Sequence, residues 1–355
     1  MIVSGSPPAR LTTIASRVDE RLSQLLDAER ARWSALDPRL ATPVDEISRL
    51  VLSGGKRLRP AFCVWGHVAA GGSPDSQAAI DAGSAIELLH AFALFHDDVM
   101  DDAATRRGQP TTHTAAAAEH GREGWAGESR RFGEGVAILV GDLAFVYADE
   151  LLLGAPVEAW RLWNLLRAEL NVGQYLDIVG SVQSDRDVHT ADRICRYKSG
   201  KYTIERPLHL GAVLAAPARA DELLPELSRY GLPLGDAFQM RDDVMGAFGD
   251  ETATGKPVGA DLREGKPTPL LARAVRRADD AQRAVLDRVG APDLTDDDVV
   301  RIQQVIVDTG ALDELEQHIA DLVAEAVGAL DSMPIEPLAV TELTELAEYV
   351  TARKN

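Results

Sequence analysis

An all-α fold is predicted by three features of this 355-residue chain. Apolar residues recur at three- and four-residue spacing along most of its length. No segment alternates with the period of two that a half-buried strand requires, and Ser, Thr, Gly and Pro stand where helices would start and stop. With no repeat and no low-complexity linker, the pattern favours one helical domain over residues 11–355 behind a flexible tail at 1–10.

Leu11 to Trp33 is amphipathic, and the tail before it has Ser, Gly and Pro but no apolar signal core. Thr42-Pro43 reads as a cap and first helical residue. Ser53-Gly54-Gly55 interrupts the pattern, and Arg59-Pro60 restarts it through Phe62, Val64 and Trp65. A turn over Gly71 to Pro74 leads into a long apolar run, Ile86 to Phe95, expected to be buried. Residues 103–135, rich in Gly, Ala, Thr and charge, are expected to be helix ends and a mobile loop. Helical spacing resumes over 136–153, 159–179, 204–214 and 223–248, and a Gly/Pro/Thr loop follows at 250–269. Thr295 before Asp296, Asp297 and Asp298 forms a capped acidic first turn, and Leu343, Leu346 and Val350 mark the last helix.

A net charge of -19 argues against nucleic-acid binding, because phosphate backbones are held by surplus Lys and Arg. Hydrophobic content of 45% with 26% charged residues reads as soluble, with no membrane span and a cytoplasmic location as expectations. The two cysteines, Cys63 and Cys195, stand in no metal-binding or disulfide pattern and are expected to be small buried thiols.

The chemistry concentrates at the end of the apolar run, in His96-Asp97-Asp98-Val99-Met100-Asp101. Four-residue spacing puts Asp97 and Asp101 on one helix face, with Asp98 roughly 100° round. His90 falls on that face too, about two turns earlier. Carboxylates beside a dry helix call for a cation, and their hard oxygens suit magnesium, which usually keeps substrate phosphates among its ligands. A second acidic pair, Asp242 and Asp243, ends another helix and precedes a loop carrying Lys256, Asp261 and Lys266. Paired carboxylates also serve glycosidases, but there one acid flanks each side of a sugar, without lysines clustered round them. Two basic clusters, Gly54 to Pro60 and Thr105 to Pro110, combine glycines with forked guanidinium donors suited to phosphate. Neither has Walker spacing.

Five separated motifs in one order give the chain its resemblance to the trans-isoprenyl diphosphate synthase, or polyprenyl synthetase, family over roughly residues 45–350. They are GGKRLRP (Gly54 to Pro60), HDDVMDDAATRRG (His96 to Gly108), GQYLD (Gly173 to Asp177), YKSGKYT (Tyr197 to Thr203), and FQMRDDVMG (Phe238 to Gly246) with its tail Gly255 to Lys266. The resemblance implies a helical bundle around a deep central cavity, a homodimer, and condensation of isopentenyl diphosphate with an allylic diphosphate. Asp97 and Asp101 would hold two magnesium ions on the allylic diphosphate and Asp242 a third from the opposite wall, so that Asp97, Asp101, Asp242 and Lys198 carry the catalysis. Arg106, Lys198, Lys256 and Gln239 would contact the allylic substrate, with Ser199 a hydrogen-bonding neighbour of Lys198. Lys56, Arg59, His90 and Arg107 would contact isopentenyl diphosphate. Asp177, Asp243 and Asp261 resemble members of the metal-water shell, and Lys266 a basic partner on the loop.

Gly246 departs from the commoner family pattern, which has a third aspartate there. Chain length in the family is set by the fifth and fourth residues before the first acidic motif, here Phe92 and Ala93. That pair resembles geranylgeranyl diphosphate synthases, with Phe92 as the tunnel floor. Farnesyl or longer-chain synthesis, a non-elongating class I terpene cyclase and a catalytically silent synthase subunit are the alternatives. Lys56, Arg59 and Arg107 favour elongation, and the intact DDVMD favours an active chain.

Overall fold

The computed structural model describes residues 7–106, 108–183, 186–249 and 258–351. Its elements are helices apart from one two-residue antiparallel pair, so the chain is all-α as its patterning predicts. The helices gather into two compact units, one of Ala9–Val64 and Ser73–Pro156, the other of Met1–Pro8, Trp65–Gly72 and Val157–Asn355.

In the first unit, α1 (Ala9–Ser34) begins two residues inside the expected tail and buries Leu11, Ile14, Val18, Leu22 and Leu26, the stripe that its spacing demands. α2 (Thr42–Val51) takes Thr42 as its first residue rather than its cap. The preceding short 3-10 turn, capped by the Asp37 carboxylate, already satisfies the chain there. α3 (Leu58–Ala69) follows, counted with this unit through Val64 and with the other from Trp65. α4 (Gln77–Met100), capped by the Ser76 hydroxyl, buries nearly every side chain from Ala79 to Leu89. It is long and apolar enough to cross a membrane by composition, but 67% of its most apolar window is buried inside the protein.

Most of 103–135, expected to be helix ends and a mobile loop, is regular secondary structure instead. β1 (Thr105–Arg106) and β2 (Gln109–Pro110) form a hairpin, then α5 (Thr112–Arg122) and α6 (Ser129–Glu150) follow. Four consecutive alanines make α5 a strong helix former, a propensity outweighed in the sequence reading by the flanking glycines. One of those glycines serves packing: a Cβ on Gly133 of α6 would lie 2.1 Å from the His113 carbonyl oxygen of α5.

The second unit contains α7 (Val157–Gln183), α8 (Val188–Ile194), a π-helix (Cys195–Glu205), α9 (Arg206–Ala215) and α10 (Ala220–Phe248). Among the described residues, α11 (Ala260–Glu264), α12 (Pro269–Arg277), α13 (Asp280–Leu286), α14 (Asp296–Asp308), α15 (Ala311–Leu330) and α16 (Pro337–Thr351) follow. The predicted cap at Thr295 is a reciprocal capping box with Asp298. Met240 and Val244 of α10 join Leu270, Leu271, Ile302, Ile306 and Leu315 in one buried cluster that anchors the acidic end of α10. Cys63 and Cys195 are free and buried, and burial pushes the Cys63 thiol up to about 12.

The π-helix is the largest feature the sequence does not announce. It lies against α7 and α10 at backbone distance: a Cβ on Gly173 would meet the Lys198 nitrogen at 2.5 Å, and one on Gly235 would meet the Gly200 carbonyl oxygen at 2.5 Å. Its charges are matched by neighbours. Glu169 of α7 accepts from Lys201 and from Arg206 at 2.6 Å, and Ser228 donates to Glu205 at 2.6 Å. Burial and the adjacent Arg206 push His209 down to about 3, and the Ser228 hydroxyl lies 3.1 Å from its Nε2. His113 and His120 are likewise buried and partnered within the protein, by Thr111 and by Ser129.

Candidate active site

α4 delivers the first acidic group. Its apolar half locks the helix in the core, and its last turn emerges from burial, leaving Asp97 half-buried and Asp101 exposed at the C-cap. The Asp101 N–H donates to the Asp97 carbonyl at 2.8 Å, so the two carboxylates stand one helical turn apart. Asp98 turns inward. It is 5% exposed and receives Arg106 at 2.6 Å, because the β1–β2 hairpin folds the chain back over the helix end. The Thr111 hydroxyl holds that fold by donating to the Ala103 carbonyl at 2.8 Å. Burial opposes the charge on Arg106, but Asp98, Asp97 and Asp101 together hold its pKa above the ordinary value. The result is an acid pair that could hold a cation beside a fixed guanidinium that could hold an anion. Arg107, assigned to the second diphosphate, lies outside the described residues.

The basic turn before α3 presents Lys56 exposed, and Arg59 in the first turn of α3 and His90 on α4 are half-buried. Phe92 and Ala93 follow on α4, also half-buried. The Phe92 ring packs on Phe145 of α6 at 4.9 Å and on His96 at 4.5 Å. His96 is pinned in turn by the Ile138 carbonyl at 3.1 Å, and Gly141 makes room for it, since a Cβ there would come within 2.5 Å of the imidazole. Phe145 is thus a second aromatic at the place assigned to chain length, and nothing in the sequence paired it with Phe92.

In the second unit, Asp177 of α7 is buried and accepts from Lys198 of the π-helix, with Ser199 half-buried beside it. Gly173, one turn earlier on α7, permits that pairing by letting the π-helix backbone approach. On α10, Gln239 donates to Asp243 at 2.8 Å, one turn on, and Asp242 is half-buried beside it. Burial, with Asp261 and Asp242 close by, pushes the Asp243 carboxyl well above its ordinary range. A cation at this place would reverse that cost. Lys266 lies 3.5 Å from Asp261. A Cβ on Gly246 would fall 1.9 Å from the Asp261 carboxylate, so the glycine in place of the motif's third aspartate makes room for an acid arriving from α11. Lys256 lies outside the described residues.

Among the described residues no three His, Cys, Asp or Glu side chains group closely enough to hold a metal by themselves. The donors fit magnesium nonetheless, because that ion takes one or two carboxylates and completes an octahedron with water and substrate phosphate. Asp97 with Asp101, and Asp242 by itself, are such partial sets, with Asp243 and Asp261 placed to bind an ion's water.

A profile described as Polyprenyl synthetase matches residues 41–306. The geranylfarnesyl diphosphate synthase of Aeropyrum pernix is 33% identical over 314 residues, covering 86% of this chain and 92% of its own. A geranylgeranyl diphosphate synthase of Mycobacterium tuberculosis is 32% identical over 85% of this chain and 81% of its own. The crystal structure of a geranylgeranyl pyrophosphate synthase from Corynebacterium glutamicum, complexed with isoprenyl diphosphate and magnesium, superposes with a TM-score of 0.90 at 37% identity, covering 97% of this chain and 99% of that one. With its motifs placed on the same helical fold, this chain belongs to the polyprenyl synthetase family.

Proposed function

We propose that this trans-prenyltransferase condenses isopentenyl diphosphate with an allylic diphosphate and releases geranylgeranyl diphosphate. The acidic end of α4 carries the reading: Asp97 and Asp101 one turn apart, with Arg106 held beside them by buried Asp98. Acid pair and guanidinium together suit a metal-bound diphosphate. Magnesium held by Asp97 and Asp101, and a third ion by Asp242, would neutralise charge on the leaving diphosphate as its carbon–oxygen bond breaks. Arg106, Lys198, Ser199, Gln239 and Lys256 would hold that diphosphate in place, and Lys56, Arg59, His90 and Arg107 the isopentenyl one. Asp177 keeps Lys198 oriented. The homoallylic double bond then attacks the allylic carbon, and a proton from the adduct passes to the released diphosphate. No side-chain nucleophile takes part, so Ser199 needs no base.

Product length is assigned to Phe92, backed by Phe145, with Ala93 leaving room above. Phe92→Ala is expected to lengthen the product and Ala93→Phe to shorten it, read by chromatography of the dephosphorylated prenols. An unchanged distribution from a folded, active Phe92→Ala enzyme would place the stop elsewhere.

We also assign a homodimer. Phe132, Leu139 and Val146 recur every seven residues along α6, exposed by 37%, 66% and 58%. Such a stripe at coiled-coil spacing suits a second copy of the chain.

A further inference from the structure

One side chain of the basic turn has no part in the chemistry above. Arg57 sits between Lys56 and Arg59 in sequence, yet it is 5% exposed. Its guanidinium donates through Nε to Asp19 of α1 at 2.8 Å, through Nη1 to Glu87 of α4 at 2.6 Å, and through Nη2 to the Val51 carbonyl at the end of α2. Three helices converge on one side chain. Burial opposes its charge, but Glu87 and Asp19 more than offset this, and Arg57 stays above its ordinary pKa.

The backbone at this residue is equally constrained. Arg57 has φ 49°, in the left-handed region that side chains other than glycine rarely adopt. Its carbonyl accepts the Ala61 N–H at 3.1 Å, so α3 starts from it. A non-glycine residue persists in that conformation when its surroundings over-determine it, and the three bonds to the guanidinium do so here.

The position of Glu87 says what is held. It lies three residues before His90 on α4, which makes the two neighbours on one helix face. The Arg57–Glu87 pair therefore ties the turn carrying Lys56, and the start of α3 carrying Arg59, to the helix carrying His90, at the adjacent turn. We propose that Arg57 is a positioning residue that fixes Lys56, Arg59 and His90 relative to one another as a single diphosphate subsite, the one for isopentenyl diphosphate. It touches no substrate itself. The inference rests on the assignment of that subsite made under the proposed function.

The test is steady-state kinetics with each substrate varied in turn, on wild type and four variants whose folding is checked by thermal melting. Arg57→Gly removes the guanidinium but suits the left-handed backbone. Arg57→Lys keeps the charge without the fork, and Asp19→Asn and Glu87→Gln each weaken one bond. Arg57→Gly is expected to raise the KM for isopentenyl diphosphate about tenfold or more while the allylic KM, and kcat at saturation, move less than about threefold. Glu87→Gln and Asp19→Asn should shift the same constant less far, and Arg57→Lys should recover part of the loss. If Arg57→Gly does not fold, the other three variants decide the matter by the same split. Equal rises in both KM values, or an unchanged KM for isopentenyl diphosphate in the folded variants, would overturn the proposal. If wild type incorporates no labelled isopentenyl diphosphate with any primer, the subsite assignment itself falls and takes the inference with it.

Discussion

Replacing Asp97 or Asp101 by alanine is expected to lower kcat on the order of 10² to 10³-fold, the scale seen when one preorganised stabiliser of transition-state charge is removed. Each supplies a carboxylate on the face of α4 that emerges from the core, and neither can be replaced by its neighbour. Asp98 is the informative control. The sequence reading sets it aside as roughly 100° off the face, and the structure agrees on direction while adding a task, because Asp98 anchors Arg106. Asp98→Asn should therefore weaken the fold by about 2 kcal/mol through the charged hydrogen bond it loses, and raise the allylic KM more than it lowers kcat. A loss of kcat at Asp98→Asn equal to that at Asp97→Ala, with the allylic KM unchanged, would contradict the division of labour.

Gly173→Ala should be nearly as damaging, by a different route. The new methyl would meet the Lys198 nitrogen at 2.5 Å and the Tyr197 carbonyl carbon at 2.7 Å, both backbone atoms that cannot rotate away. Overpacking of this kind costs about 1–3 kcal/mol and here would push the π-helix off α7, taking Lys198 from Asp177. A lowered melting temperature together with a raised allylic KM is the expected result. Gly328→Ala on α15, where an added Cβ meets nothing within 4 Å, serves as control and should stabilise by roughly 0.5–1 kcal/mol. Equal, harmless behaviour of the two variants would mean that the π-helix does not depend on that contact.

What the sequence disclosed and withheld follows from the range of the interactions. DDVMD could be read because its meaning is local: four-residue spacing on a helix decides which carboxylates share a face. Thr295 was legible for the same reason. The π-helix was not, since its wider turn leaves no spacing signature in an eleven-residue stretch of mixed charge and aromatic residues. Gly173 is present in the motif, but its reason is the backbone of another element. Arg57 reads as one more surface cation in a basic run, and the partners that bury it lie 38 and 30 residues away. The glycines flanking α5 read as breakers, whereas Gly133 of α6 marks a close crossing with α5.

The central claim is elongation of an allylic diphosphate by a magnesium-bearing acidic site. It is tested most directly by incubating the purified protein with magnesium, labelled isopentenyl diphosphate and each allylic primer in turn, with a parallel series in excess chelator. Label in a longer allylic diphosphate, geranylgeranyl as the main product, and none with chelator, is the predicted result. Label absent from every product while a primer is converted to a cyclic hydrocarbon, no turnover of any primer, or full elongation in chelator would each contradict the account.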